Sequence, residues 1–169
     1  MHGERMKYDY DMIVIGLGPA GMAVSVMGSE MGLKVCAIER NKIGGECMNV
    51  GCIPSKSLLR MAAARHAFQS LENMELNPAP TPALRDPFGR IQQYLAYINS
   101  NKTSAMFKKV RLVLAEGAAA FVDSHTVEAG GKRYSAKRIF ICAGTRPAVP
   151  PIPGISDVET LTNEHLFDL

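Results

Sequence analysis

Apolar and polar positions along the first forty residues predict a strand, a tight turn, a helix and a second strand. Residues 12–15 form a continuous apolar run of strand length, typical of a parallel strand covered on both faces. The sequence GLGPAG at 16–21 turns the chain, and its proline, Pro19, suits a first helical turn, where a missing N–H costs nothing. The helix ends at Gly32, and residues 35–38 supply the second strand. This order predicts a βαβ unit.

The remaining pattern predicts two more helices and then a run of short strands. Four prolines between residues 77 and 87 indicate a connection. Gly130-Gly131 favours a tight hairpin between two strand arms. The predicted elements are helices over 57–71 and from 91 to about 108, and strands over 110–114, over 118–122, on both sides of 130–131, and over 138–142. Together they predict an α/β fold in which a parallel sheet carries an inserted antiparallel β-meander.

Composition points to a globular chain with a single domain. Of its 169 residues, 47% are hydrophobic and 21% charged, unlike a disordered segment or a disulfide-rich miniprotein. The net charge of +3 comes without interleaved basic and aromatic residues, so no nucleic-acid partner is expected. The charged N-terminus lacks an apolar signal region, and no apolar run reaches the length of a membrane span. We therefore expect a cytoplasmic protein without a membrane partner, in a compartment that keeps thiols reduced.

The glycine turn has the context of a dinucleotide-binding fingerprint. Gly16 permits a tight turn, Gly18 lets the backbone approach a pyrophosphate, and Gly21 lets helix and strand pack closely. Helix N–H groups and the helix dipole then hold the phosphates. Glu39 lies 18 residues after Gly21, at the end of the second strand, where a carboxylate accepts hydrogen bonds from a ribose diol. These residues predict an adenine dinucleotide without distinguishing FAD from NAD.

The segment GGECMNVGCIPSK, residues 44–56, places Cys47 and Cys52 five positions apart. On an ideal helix their Cα atoms would lie about 8.7 Å apart, which exceeds the limit of roughly 7 Å for a disulfide. A bond between them therefore requires a distorted first turn. Gly51 supplies backbone freedom there, and Pro54 can begin the regular helix beyond it.

Four interpretations of this pair are open. A purely structural disulfide would stabilise the fold little, because closing so small a loop adds only about 2 kcal/mol to the free energy of unfolding on the chain-entropy model. A zinc site lacks two further ligands, since Cys36 and Cys142 lie in predicted strands, where we expect small buried hydrophobic residues. A redox pair is better placed, because a helix N-terminus stabilises a thiolate. Two unrelated free thiols are the remaining interpretation.

The glycine turn, Glu39 and the cysteine segment together resemble the flavoprotein pyridine nucleotide-disulfide oxidoreductases, the family of dihydrolipoyl dehydrogenase, glutathione reductase and mercuric reductase. The likeness continues through Glu116-Gly117 and the CAGT sequence at 142–145, and so covers essentially the whole chain. It implies a Rossmann-like FAD-binding domain over residues 1–169. The FAD-contacting positions that it implies are Gly16, Gly18, Pro19, Ala20, Gly21, Glu39, Arg40, Gly45, Glu46, Lys56, Gly117, Ala143, Gly144 and Thr145.

The same resemblance implies roles for the two cysteines. In this family NAD(P)H reduces FAD, which passes two electrons to a redox-active disulfide, and dihydrolipoyl dehydrogenase runs the route in reverse. Cys47 and Cys52 would be the catalytic residues, Cys52 as the charge-transfer thiol beside the flavin and Cys47 as the thiol that exchanges with a disulfide or thiol substrate. Lys56 would place positive charge near the reduced flavin, although a helical lysine is otherwise a solvated side chain.

The sequence IPSK at 53–56 matches the dihydrolipoyl dehydrogenase branch better than the glutathione reductase pattern. The resemblance therefore implies a dihydrolipoyl dehydrogenase-like parent activity, with a mercuric reductase-like enzyme as the alternative. A rival from another class is a non-catalytic module that holds FAD, or only adenine nucleotides.

Three features depart from the family pattern. Glu46 stands where the best-known members have threonine, and its carboxylate disfavours a nearby thiolate unless a cation compensates. The usual ATG turn reads Cys142-Ala143-Gly144, which loses a hydroxyl and keeps the glycine. The sequence stops at Leu169, where family members continue into an NAD(P)-binding domain and a dimer-interface domain, and a His-Pro catalytic motif is missing.

The chain is accordingly expected to be the N-terminal part of an enzyme that is a homodimer at full length, and to turn over no NAD(P)H by itself. No histidine is an obvious substitute for the family's catalytic one. His66 lies fourteen residues beyond Cys52, about 21 Å along a continuous helix. We expect His2, His125 and His165 to be surface or packing residues.

Overall fold

The computed structural model describes residues 8–77, 80–83 and 85–168. His2, near the N-terminus, lies outside these described residues. Two short 3₁₀ turns cover Glu72–Met74 and Ile155–Asp157, and a π-helical stretch covers Ile98–Thr103. In chain order the main elements are β1 (Tyr10–Ile15), α1 (Pro19–Glu30), β2 (Val35–Glu39), α2 (Gly45–Asn49), α3 (Cys52–Gln69), α4 (Pro87–Tyr97), α5 (Ser104–Met106), β3 (Val110–Leu114), β4 (Ala120–Phe121), β5 (Thr126–Ala129), β6 (Lys132–Ile141) and α6 (Asn163–Leu166).

The chain divides into two compact units. Unit 1 comprises Met1–Gly45 and Asn99–Thr145, and unit 2 comprises Glu46–Ile98 and Arg146–Leu169. Unit 1 contains the β-strands and α1, whereas unit 2 contains α3, α4 and α6. In the described part of the chain, no helix is both long and apolar enough to cross a membrane.

The described strands of unit 1 form one sheet in the order β3-β2-β1-β6-β5-β4. β1 pairs in parallel with β2 and with the second half of β6, and β2 pairs in parallel with β3. β4, β5 and the first half of β6 form an antiparallel meander. The structure therefore confirms the predicted α/β fold, a parallel sheet with an antiparallel meander.

Alternate residues of β1 pack into two different hydrophobic clusters, one on each face of the sheet. Ile13 packs with Cys36 and Ile38 in the first cluster. Met12 and Val14 belong to the second cluster, with residues of β2, β3 and the glycine turn. Because both faces are covered, the strand is apolar at consecutive positions, which is why its sequence shows no alternation.

β6 differs from the sequence prediction, which placed a hairpin arm after Gly131 and a separate strand over 138–142. One continuous strand covers Lys132–Ile141 and changes partner along its length. The first half pairs with β5, ending at Ser135, and the second half pairs with β1. The polar residues Ser135 and Lys137 hid this continuity, since they alternate with buried positions and bind the carboxylates of Asp9 and Asp11.

The helix predicted from 91 to about 108 begins earlier and is not continuous. Asp86 accepts a hydrogen bond from the Gly89 N–H at 2.8 Å, and Pro87 occupies the first helical position, so α4 begins in the predicted connection. Beyond Tyr97 the chain widens into the π-helical stretch 98–103. Its sequence, INSNKT, contains one strong helix former, the lysine, among residues of low helix propensity, which explains the loss of regular α geometry.

Unit 2 is built on the contact between α3 and α4. Its buried apolar residues include Ile91 and Leu95 of α4 and Phe167, which follows α6. The Gln92 side chain donates a hydrogen bond to the Phe167 carbonyl at 2.8 Å, so the end of the chain is fixed to α4.

Candidate functional site

Four loops of unit 1 follow the parallel strands β1, β2, β3 and β6. Because parallel strands share a direction, these loops meet at the carboxyl edge of the sheet, where open α/β sheets bind ligands. The loops contain most of the residues expected to contact FAD. In the order of the strands they are 16–21, Glu39 with Arg40, Gly117, and 143–145.

The glycine turn is fixed by close backbone contacts. Gly16 has φ +92°, and a Cβ there would lie 2.3 Å from the Cys142 carbonyl oxygen. A Cβ on Gly21 would lie 1.8 Å from the Gly16 carbonyl oxygen. Neither position tolerates a side chain without backbone movement, so β1, α1 and the loop after β6 depend on these two glycines.

Gly18 serves a different purpose in the same turn. A Cβ added to Gly18 would have no described atom within 4 Å, and Pro19 and Ala20 beyond it are exposed at the N-terminus of α1. Gly45 packs closely against this turn, since a Cβ added to Gly45 would lie 2.9 Å from the Gly18 Cα. The backbone at the start of α1 is therefore open, which fits a pyrophosphate held by helix N–H groups.

The Glu39 carboxylate is buried and fixed by two backbone donors. Its Oε2 accepts from the Leu17 N–H at 2.7 Å, and its Oε1 accepts from the Asn41 N–H at 2.8 Å. Each carboxylate oxygen has a second lone pair, so the group can still accept hydrogen bonds from hydroxyls. Glu39 thus connects the glycine turn to the end of β2, while the adjacent Arg40 is exposed.

We expect Glu39→Ala to lower the free energy of unfolding by about 1–3 kcal/mol, because the N–H of buried Leu17 loses its partner. Glu39→Gln is the matched control, since its amide oxygen still accepts one of the two hydrogen bonds. Urea denaturation followed by circular dichroism measures both variants. An alanine variant as stable as the parent chain would contradict the structural role of this carboxylate.

The two cysteines of the motif form a disulfide in the structure. Cys47 lies in α2 and Cys52 begins α3, and their Cα atoms are 4.7 Å apart. Gly51, with φ −126° and ψ −105°, separates the two helices. The distorted turn expected from the spacing is thus a break between two helices, and α2 is an element that the sequence pattern did not predict.

Two charged residues flank the disulfide. Lys56 is exposed in the first turn of α3, and Glu46 is exposed immediately before Cys47. In the described part of unit 2, the Glu46 carboxylate has no lysine or arginine partner. Its Oε1 accepts a hydrogen bond from the Asn163 side-chain amide at 2.6 Å instead. The negative charge next to Cys47 is therefore held by a neutral donor.

Sequence reasoning missed Asn163, Asn41 and Gly44. Asn41 donates to Glu39, and the Gly44 N–H donates to the Leu17 carbonyl at 2.7 Å. Thr162 and Asn163 are both residue types that favour a helix N-cap, and this is the only local feature of the sequence that indicates α6. Nothing in the sequence indicates that Asn163 meets Glu46, 117 positions earlier.

The two other cysteines differ in their surroundings. Cys36 is buried in the first cluster, and this burial raises the pKa of its thiol to about 11. Cys142 is only half-buried, so the prediction of a buried residue holds fully for Cys36 alone. Among the described residues, no group of three or more His, Cys, Asp or Glu side chains is arranged to hold a metal ion.

At neutral pH we expect iodoacetamide to label Cys142 of the native chain about two orders of magnitude faster than Cys36, since only the thiolate reacts. The rate at Cys36 should rise with pH toward 11, following its raised pKa. Peptide mass spectrometry after timed quenching measures both rates. Equal labelling of the two residues in folded protein would show that Cys36 is not shielded.

Comparison with known proteins gives a consistent set of relatives. The family model described as pyridine nucleotide-disulphide oxidoreductase matches residues 10–168. A mercuric reductase from Staphylococcus aureus is 31% identical over 166 residues, covering 95% of this chain and 30% of that protein. A dihydrolipoyl dehydrogenase from Thermus scotoductus is 34% identical over 138 residues, covering 82% of this chain and 30% of that protein.

A solved structure extends the likeness to the fold. The Cu(II) complex of the HOCl-induced flavoprotein disulfide reductase RclA from Escherichia coli matches with a TM-score of 0.70 and 26% identity, covering 94% of this chain and 33% of that one. The present chain thus spans about a third of the length of these relatives. The comparisons agree with the resemblance carried by the glycine turn and the cysteine motif, and they imply FAD as the cofactor, which the open backbone at Gly18 fits.

Proposed function

Because the chain belongs to the pyridine nucleotide-disulphide oxidoreductase family, we propose that it is the FAD-binding, disulfide-bearing part of an enzyme that moves electrons between NAD(P)H and a disulfide or thiol substrate. The observation that carries this proposal is the Cys47–Cys52 disulfide, placed at the start of an 18-residue helix in a chain with an open glycine turn. Bound FAD would supply hydride exchange with NAD(P)H, which the cysteine pair does not provide by itself.

The residues of unit 1 hold and orient the cofactor in this proposal. Gly16, Gly18 and Gly21, with Pro19 and Ala20, would present the N-terminus of α1 to the pyrophosphate, and Glu39 with Arg40 would hold the ribose. The loops after β3 and β6 supply further contacts. At Gly117 and Gly144 the backbone has φ +104° and +71°, and no described atom lies within 4 Å of an added Cβ, which supports a close approach by a ligand. Gly45, Ala143 and Thr145 complete the unit 1 set. The family resemblance alone adds Glu46 and Lys56, which belong to unit 2.

The cysteines perform the exchange chemistry in this proposal. Reduction of the disulfide takes up two electrons and two protons and gives two thiols. Cys52 is exposed at the N-terminus of α3, where the helix dipole favours its thiolate, and Cys47 is half-buried in α2. On the family pattern Cys52 would lie beside the flavin and Cys47 would attack the substrate, and Lys56 would add positive charge one helical turn beyond Cys52.

The substrate class is the finer part of the proposal. The sequence IPSK supports a dihydrolipoyl dehydrogenase-like activity. A mercuric reductase-like activity is the second candidate, supported by relatives such as the Staphylococcus aureus protein, which match nearly the whole chain. A steady-state assay of the complete polypeptide separates them. Turnover with dihydrolipoamide and NAD supports the first, and NADPH consumption that depends on Hg(II) supports the second.

We also propose that the complete enzyme is a homodimer, as its family resemblance implies. Light scattering of the full-length protein tests the oligomeric state. A monomeric mass at micromolar concentration would contradict this part of the proposal without affecting the assignment of the cysteines.

The chain itself is expected to bind FAD without oxidising NADH. Refolding in the presence of FAD followed by gel filtration should give yellow protein, and adding NADH under argon should leave the flavin absorbance unchanged over minutes. Bleaching at enzyme-like rates would contradict this expectation. Protein that stays colourless under these conditions would favour the rival interpretation, a nucleotide-binding module without redox chemistry.

A further inference from the structure

One side chain spans the helical turn that contains Cys47. The Asn163 Nδ2 donates to the Glu46 Oε1 at 2.6 Å and also lies 3.4 Å from the Val50 carbonyl oxygen. Glu46 and Val50 are the two ends of that turn, because the Val50 N–H donates to the Glu46 carbonyl at 2.9 Å. Asn163 therefore contacts the turn both before and after the cysteine.

Asn163 itself projects from a fixed base. It is the first residue of α6, whose N-cap Thr162 accepts a hydrogen bond from the Glu164 N–H at 3.3 Å. The Glu164 carboxylate in turn receives two hydrogen bonds from the Arg146 guanidinium, at 3.2 and 3.0 Å. Phe167, just beyond α6, is buried. The amide is thus held independently of the turn that it contacts.

The importance of this contact changes with the oxidation state of the pair. In the disulfide form, the bond between Cys47 and Cys52 fixes the turn to the start of α3. In the dithiol form that link is gone, and the backbone continues from the turn to α3 through Gly51, which restricts conformation least of all residues. The contacts made by Asn163 involve neither sulfur, so breaking the disulfide removes none of their atoms.

We propose that Asn163 is a positioning residue that keeps the reduced Cys47 thiol within reach of Cys52. The proposal rests on the proposed redox function of the pair. Its physical basis is effective concentration: a turn held in place loses less entropy when the disulfide re-forms, so the contact and the disulfide stabilise each other. Loss of the contact should shift the thiol–disulfide equilibrium toward the dithiol.

Glu46 adds a separable, electrostatic effect. Its carboxylate lies next to Cys47 in the sequence and disfavours a thiolate there, which also stabilises the disulfide form. That effect requires thiolate and so appears only at alkaline pH, whereas the effect of positioning does not depend on thiol ionisation. Glu46→Gln removes the charge but keeps an oxygen for Asn163 to contact, and therefore isolates the first effect.

The test measures the equilibrium between the oxidised chain and dithiothreitol, near pH 6 and near pH 8.5. Acid-quenched alkylation and mass spectrometry give the disulfide fraction. We expect Asn163→Ala and Asn163→Asp to lower the equilibrium constant for the disulfide about fivefold at both pH values, which corresponds to a reduction potential about 20 mV less negative. Glu46→Gln should shift it only near pH 8.5.

Two further variants separate positioning from general stability. Thr162→Ala removes the cap of α6 but none of the contacts to the turn, and should shift the equilibrium by less than the Asn163 variants do. Glu46→Ala removes the main acceptor at an exposed position, and should reproduce the shift near pH 6 even where an Asn163 variant folds poorly. An unchanged equilibrium in the Asn163 and Glu46→Ala variants, or an equal shift in Thr162→Ala, would overturn the inference alone. A parent pair that cannot be reduced and re-formed reversibly would overturn the proposed function as well.

Discussion

Cys52→Ser is expected to abolish electron uptake by the cysteine pair. The FAD-loaded chain without substitutions should take up two electrons at the flavin and two at the disulfide. The Cys52→Ser variant should take up only the two electrons of the flavin. The reason is that the Cys47–Cys52 bond is the sole disulfide among the described residues, since Cys36 and Cys142 are free thiols. Anaerobic titration with dithionite, normalised to bound FAD, measures this stoichiometry.

Two variants provide the controls for that titration. Cys47→Ser should show the same loss, because either sulfur is indispensable to the bond. Cys142→Ser replaces a thiol outside the pair by a group of similar shape and should keep the full stoichiometry. A Cys52→Ser chain that still takes up the full number of electrons would place the redox chemistry elsewhere.

Alanine at Gly21 should impair both folding and FAD binding, whereas alanine at Gly18 should impair FAD binding alone. At Gly21 the new Cβ would lie 1.8 Å from the Gly16 carbonyl oxygen, so the first βαβ unit must shift. We expect the free energy of unfolding to fall by about 3 kcal/mol or more, and FAD binding to be lost with it. Urea denaturation and quenching of flavin fluorescence measure the two quantities.

Gly18→Ala is the matched control, with one methyl group added three residues earlier. Its φ of −67° suits alanine, and no described atom lies within 4 Å of the new Cβ. The unfolding free energy should therefore change little, while FAD affinity should fall at least tenfold because the methyl group occupies the space for the pyrophosphate. Unimpaired FAD binding by Gly18→Ala would show that the cofactor's phosphates lie elsewhere.

Local periodicity predicted the part of the fold that depends on local interactions. The βαβ unit follows from two apolar runs, a glycine turn and a helix stop, and the structure places β1, α1 and β2 within two residues of their predicted bounds. The sequence pattern divides β6 in two, because a strand that changes partners carries no sign of the change in its own sequence. The pattern also predicts too long a helix after Pro87, because apolar spacing continues beyond Tyr97 where helix propensity is low.

The predictable residues of the candidate site are those whose type is fixed by steric contacts of the backbone. Gly16 and Gly21 are required by contacts under 3 Å, and such requirements produce recognisable motifs. The cysteine spacing likewise demanded a break, which the structure provides at Gly51. Asn163 could not be found in this way, because a side-chain contact across 117 positions depends on tertiary packing that no local pattern encodes.

An electronic contact between the reduced cysteine pair and the flavin should be visible in a single absorption spectrum. The FAD-loaded chain is reduced anaerobically with one equivalent of dithiothreitol at mildly alkaline pH, and its visible absorbance is recorded. We expect a new band at wavelengths longer than those of oxidised flavin, present in the unsubstituted chain and absent from Cys52→Ser. Stoichiometrically bound flavin and a fully reduced pair without any such band would contradict it.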